Sequence, residues 1–177
     1  MAKVRRWIAY RRLERPYTRK SKYSGKSFVR STPTPKIARY VMGEHRKHFG
    51  YKLLLRSNIP IQIRDLCLES ARQASNRHLE MTLGATNYRY VVRVYPHHHL
   101  RENPLAAGAG ADRMSTGMKM SFGKVIGIAA QIKKGQAIFE LNINKEHLPV
   151  AKEALRRATC KLPKSCTVEV IDMKKKV

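Results

Sequence analysis

The chain has 177 residues, enough for one domain with an appendage, and sets 37 Lys and Arg against 12 Asp and Glu, a formal charge of +25 at pH 7. Such an excess repels itself in a compact monomer, so a polyanionic partner is expected, either nucleic acid or an anionic membrane surface. No apolar run approaches the roughly 18–20 residues that span a bilayer, and the N-terminus lacks the apolar stretch of a signal peptide, which leaves a soluble, nucleic-acid-associated protein as the expectation.

Residues 1–36 hold twelve Lys or Arg and a single acid, Glu14, together with five aromatics, Trp7, Tyr10, Tyr17, Tyr23 and Phe28. Pro33 and Pro35 close the stretch and disfavour helix before them. With so few aliphatic side chains this arm builds no core of its own. Its cations suit phosphates and its aromatics suit exposed bases, so it is expected to order on RNA. The candidate contacts are Arg5, Arg6, Trp7, Arg11, Arg12, Arg15, Tyr17, Arg19, Lys20, Lys22 and Lys26. A solubilising basic tail is the alternative.

From residue 37 onward the pattern is that of one globular domain, 37–177. Residues 51–55 predict a strand, and 62–83 predict an amphipathic helix stopped by Gly84. On that helix Ile63, Leu66, Cys67, Ala71, Ala74 and Met81 share one side, while Arg64, Arg72, Asn76 and Glu80 take the other. Strands follow at 88–95, 122–133 and 136–143, the last two read as a hairpin about Lys134-Gly135. Asn144 is placed to cap a helix over 146–161, whose apolar face is Leu148, Ala151, Ala154, Leu155 and Ala158. Residues 167–171 alternate as a last strand before a basic end. Two helices among several strands in this order predict an α+β domain with a mostly antiparallel sheet.

Between the strands lies a long segment, 96–121, with little periodicity. Loops above about 12–15 residues in a compact domain are usually functional or disordered. Gly108, Gly110 and Gly117 give it low bulk for close backbone approach, and Arg101, Arg113 and Lys119 suit phosphate. Gly108-Ala109-Gly110 resembles a phosphate-cradling turn, but Arg113 breaks G-x-G-x-x-G, and no Walker-type loop occurs. His97, His98 and His99 alternate in direction along an extended chain and do not converge on one metal, so they read as RNA-facing or solvated side chains. Met114, Met118 and Met120 offer a sticky surface or pack beneath the loop. Cys67, Cys160 and Cys166 form no C-x-x-C pair and read as reduced thiols. No paired carboxylates and no G-x-S-x-G elbow are evident.

The series Arg93-Val94-Tyr95-Pro96, Leu100-Arg101-Glu102-Asn103, Gly108-Ala109-Gly110-Ala111-Asp112-Arg113 and Thr116-Gly117-Met118 is specific. Taken with Ala154-Leu155-Arg156-Arg157-Ala158 and the basic arm, it resembles the archaeal and eukaryotic L-ten-e ribosomal protein family, whose bacterial relative is L-sixteen. The resemblance spans essentially the whole chain. It implies a fold related to the α/β-hammerhead and a structural, non-enzymatic place in the large ribosomal subunit, without cofactor or metal. The implied partners are 23S-type rRNA near the 5S RNA, tRNA, neighbouring ribosomal proteins and maturation factors, with no membrane and no homo-oligomer. The family's internal loop maps to 100–117 and implies an approach to tRNA and the peptidyl-transferase region. Arg101, Gly108, Gly110, Asp112, Arg113, Gly117 and Lys119 are its candidates here, Asp112 as a local partner that orients Arg113. The end at Lys174-Lys175-Lys176-Val177, without the longer eukaryotic tail, suggests an archaeal source, while the reduced cysteines and the resemblance imply a cytoplasmic, ribosome-bound protein. Two other classes compete: an RNA-modifying enzyme with a basic docking arm, and a general basic binder of nucleic acid.

Overall fold

The computed structural model describes residues 5–13, 23, 29, 32–102, 123–163 and 166–173. Among them eight strands and two α-helices form in the order β1 (Val41–Gly43), β2 (Tyr51–Ser57), β3 (Ile61–Arg64), α1 (Asp65–Leu83), β4 (Tyr88–Val92), β5 (His98–Glu102), β6 (Lys124–Ile132), β7 (Ala137–Ile143), α2 (Leu148–Thr159) and β8 (Cys166–Asp172). A five-stranded sheet runs β1-β4-β7-β2-β8 and a three-stranded sheet runs β3-β6-β5. Every described strand pairing is antiparallel, so the α+β expectation holds.

Period-two alternation sets the faces of the larger sheet. Tyr90 pairs with Leu141 and Leu53 pairs with Leu141, so these three side chains share one face with Tyr88, Phe139 and Leu55. All are buried, and they meet Leu68, Ala71 and Leu79 of α1 and Ala151, Ala154, Leu155 and Ala158 of α2 in a single core. Full burial of side chains of this size contributes about 1.5–3 kcal/mol each. The opposite face is polar: Lys52 and Arg93 pair with Glu140 at 2.9 Å and 3.5 Å. Burial pushes the Glu140 carboxyl up, but the hydrogen bond and charge of Lys52 and the help of Asn142 and Arg93 hold it net below its ordinary value.

Several expectations are corrected. Residues 61–64 are strand β3 rather than the first turn of the helix, so α1 begins at Asp65. Its inner face is Leu68, Ala71, Ser75 and Leu79 together with Asp65, Glu69 and Arg72, whereas Leu66 and Met81 are exposed. Arg72 is admitted because its guanidinium grips the Glu69 carboxylate through two bonds, 2.6 Å and 2.8 Å, and a hydrogen-bonded pair can be buried where a lone charge cannot. Glu69 and Asp65 also accept the backbone N–H groups of Ala38 and Lys36, tying the incoming chain to the helix. Gly84 ends α1 as expected, at φ +71°.

The expected hairpin does not exist. The Lys133–Gln136 turn is present, with Gln136 N–H donating to Lys133 O, but β6 and β7 belong to different sheets. Asn144 makes no side-chain cap; a 3-10 turn, Lys145–His147, leads into α2, which starts with Pro149 in its first turn. The edge strand β8 forms where expected, but its alternation does not set a buried face, since residues 167–170 are all exposed.

Gly43 ends β1 at φ +80°, where an added Cβ would lie 2.2 Å from the Tyr88 carbonyl oxygen, the same oxygen that accepts the Glu44 N–H. Gly43→Ala is therefore expected to cost about 2 kcal/mol or more, read as a lowered melting temperature; an unchanged melt would show that this close approach is dispensable.

Candidate nucleic-acid interface

The short sheet β3-β6-β5 carries the N-terminal arm on one edge and the root of the long loop on the other. Trp7–Tyr10 forms a 3-10 turn along β3. The backbone N–H of Gln62 donates to Arg11 O at 2.9 Å and its side-chain amide donates to Tyr10 O at 2.9 Å, so the arm covers a sheet edge that would otherwise be open. Tyr10 is the pivot. Its ring is buried in a small second core with Leu100, Ala129 and Ile126, and its hydroxyl donates to Glu102 Oε1 at 2.8 Å. Burial, and then Glu102, push the Tyr10 pKa up despite the opposing Arg5 backbone N–H. Arg5 reaches the other carboxylate oxygen of Glu102 at 3.1 Å, and Arg64 donates to Arg5 O at 3.2 Å. Residues 5–13 are thus held by the protein body itself.

Glu102 ends β5, where the long loop departs. Residues 98–102, read from sequence as the start of an aperiodic loop, pair with β6 as a strand, and the register shifts between Leu100 and Arg101. A bulge at that point re-aims the side chains beyond it. His98 and His99 are corrected too: they are buried on β5 rather than solvated. Burial, with His99 as a neighbour, pulls the His98 pKa below its ordinary 6.5.

Arg5, Arg6, Trp7, Arg11 and Arg12 are all exposed, and Arg101 is half-buried at the loop root. Arg15, Tyr17, Arg19, Lys20, Lys22 and Lys26 lie outside the described residues, as do Gly108, Gly110, Asp112, Arg113, Gly117 and Lys119 with the three loop methionines. Arg5 is brought to Glu102, the chain neighbour of the loop candidate Arg101, a juxtaposition that sequence separation conceals.

One surface feature was missed. Tyr40 and Tyr95 stack at 5.6 Å, and Tyr95 continues onto His97 at 4.5 Å, an aromatic run just before β5 with Tyr95 46% exposed. The aromatic density at 88–95 was the available signal, but it was absorbed into a strand that in fact ends at Val92. On α2 the cations are less free than their number suggests. Hydrogen bonds from Arg156 and Arg157 hold the Glu153 carboxyl down at about 2, so both arginines spend charge within the helix.

The sequence profile of the family described as Ribosomal protein L16p/L10e matches residues 13–169. The chain is 48% identical over 153 residues to the Large ribosomal subunit protein uL16 of Methanococcus maripaludis (strain C5), covering 86% of this chain and 88% of that one. It is 45% identical over 159 residues to the protein of the same name from Hyperthermus butylicus, covering 90% and 85%. For the Archaeoglobus fulgidus protein the identity is 42% over 154 residues, covering 87% and 85%. On a match that runs from the arm to the last strand, the chain belongs to the L16p/L10e family of ribosomal proteins.

Proposed function

We propose that this chain is a structural constituent of the large ribosomal subunit that grips rRNA with its arm and the adjoining sheet, while its loop helps to position tRNA. What carries the reading is the similarity, over most of both chains, to archaeal proteins named Large ribosomal subunit protein uL16. As a ribosomal protein it is structural and not an enzyme, and no catalytic residue is assigned. No helix among the described residues is long and apolar enough to cross a membrane.

The physical basis is charge. Exposed Arg6, Arg11 and Arg12 neutralise phosphates and release counterions, with Arg15, Arg19, Lys20, Lys22 and Lys26 extending the contact along the arm. Arg101 stands where the loop leaves the sheet, and Arg113 and Lys119 carry positive charge onward toward tRNA and the peptidyl-transferase region. The 5S RNA, neighbouring proteins and maturation factors complete the partners, in the cytoplasm.

The chain should stay with large subunits through a high-salt wash. The triple variant Arg6→Gln, Arg11→Gln, Arg12→Gln should bind rRNA fragments more weakly and flatten the slope of log affinity against log salt by about 2 to 3. Release of the unaltered chain at the first wash would sink the ribosomal reading. An unchanged slope in the variant would remove the arm from it.

A further inference from the structure

The arm, the junction of β3 with α1, and the end of α2 enclose a cavity of about 350 Å³. That is within the range of about 300–1,000 Å³ typical of sites for small organic groups. Trp7 and Leu162 contribute apolar wall, Arg11, Arg64 and Lys161 contribute positive charge, and no acid among the described residues lines it. The charges are placed rather than scattered. The Arg11 guanidinium lies over the Trp7 ring at 5.8 Å from its centroid, and that of Arg64 lies over Tyr10 at 5.7 Å. Arg64 is further fixed by its bond to Arg5 O, and its Nε is buried with no hydrogen-bond partner among the described residues. Trp7 remains 46% exposed although it belongs to a segment the body holds in place.

A flat group with apolar faces, attached to negative charge, fits such a site. An uncharged apolar ligand has no use for three cations, and an acidic peptide has no use for an indole wall. We propose that this cavity receives one unstacked nucleobase of the bound RNA, with the base against Trp7 and the flanking phosphates on Arg11, Arg64 and Lys161. The proposal rests on the RNA-binding reading above and sharpens it from phosphate contact to capture of a single extruded base. Unpaired bases are recognised in general by stacking on aromatic rings and guanidinium planes. Such stacking tolerates any base, so the site selects an unpaired nucleotide rather than a sequence.

Trp7 is the only tryptophan of the chain, so its fluorescence reports on this cavity directly. The full chain is titrated with an end-labelled single-stranded adenosine RNA, with an abasic ribose-phosphate strand of equal length and charge, and with adenosine monophosphate. Label anisotropy gives affinity and tryptophan emission gives base insertion. The adenosine strand is expected to quench Trp7 and to bind about tenfold more tightly than the abasic strand. Trp7→Ala, at a half-exposed position, should abolish that preference, so that the two strands bind alike. Cys160→Phe, at an exposed position lining the cavity, should abolish the quenching while the strand still binds. Equal binding of both strands without quenching, or a preference that survives Trp7→Ala, overturns the proposal and leaves RNA binding standing. Equal quenching by the mononucleotide would identify a free nucleotide as the ligand and overturn it as well. Binding of neither strand would bring down the RNA reading itself.

Discussion

Tyr10→Ala will release residues 5–13 from the three-stranded sheet while the main core stays folded. The substitution empties the small cluster with Leu100 and Ala129 and removes the donor to Glu102 Oε1. Truncating a buried aromatic costs about 3–5 kcal/mol. The sensitive reporter is the Gln62 amide, whose acceptor is Arg11 O. Its hydrogen exchange should accelerate on the order of 100-fold, because local opening, not global unfolding, will then expose it. Tyr10→Phe separates the two contributions: it keeps the ring and loses the hydroxyl, and should cost about 1.5–3 kcal/mol for a bond to a charged acceptor. Wild-type protection of Gln62 in the alanine variant would mean that the arm is held by something other than Tyr10.

A comparable loss is expected in the main core from Glu69→Ala. The substitution strands the Arg72 guanidinium in an environment where both side chains are about 10% exposed, and deprives the Ala38 N–H of its acceptor. Removing one partner of a buried pair costs about 3–5 kcal/mol, a fall in melting temperature on the order of 10 °C for a chain of this size. The double variant Glu69→Ala, Arg72→Met should recover much of it, since no unpaired charge is then buried. The pair also has a pH signature. Hydrogen bonding to Arg72, joined by Gln73 and the Ala38 N–H, outweighs burial and holds the Glu69 carboxyl below its ordinary 4.5. A depressed carboxyl stabilises the fold fully above its unfolded value, and that stability is lost as pH falls through the lower folded one. The acid limb of the wild-type melting profile should therefore flatten in the double variant. A Glu69→Ala melt within a degree of wild type would show that the pair is incidental.

What was legible in the sequence follows from what local pattern encodes. The face of α2 was read correctly because Ala151, Ala154, Leu155 and Ala158 are buried by being apolar, the property that periodicity measures. The face of α1 was misread because Asp65, Glu69 and Arg72 are buried by being hydrogen-bonded, and the partners on residues 36–38 are not encoded in helical spacing. Lys134-Gly135 was correctly seen as a turn. Turn chemistry, however, states only that the chain reverses, and is silent on which sheet each strand joins. The interface divides the same way. Its exposed cations were legible from composition, whereas the Tyr10–Glu102 tie spans 92 residues. The cavity draws on three separate segments around Trp7, Arg64 and Lys161, so no window of sequence contains it.

The turn that joins the two sheets has a mechanical consequence. The chain passes directly between the two sheets at Ser57–Ile61, Val92–His98 and Ile132–Ala137, and the first and last of these crossings are laced together. Gly135 N–H donates to Ser57 O at 2.7 Å, Ser57 N–H donates to Gln136 O at 3.1 Å, and the Arg56 guanidinium donates to Gly135 O at 2.8 Å. A panel hung on one pin swivels, whereas one hung on two fastened pins does not. The sheet that carries the arm and the loop root is mounted in the second manner, so a push delivered at the loop root is passed to the whole body instead of being absorbed at a joint.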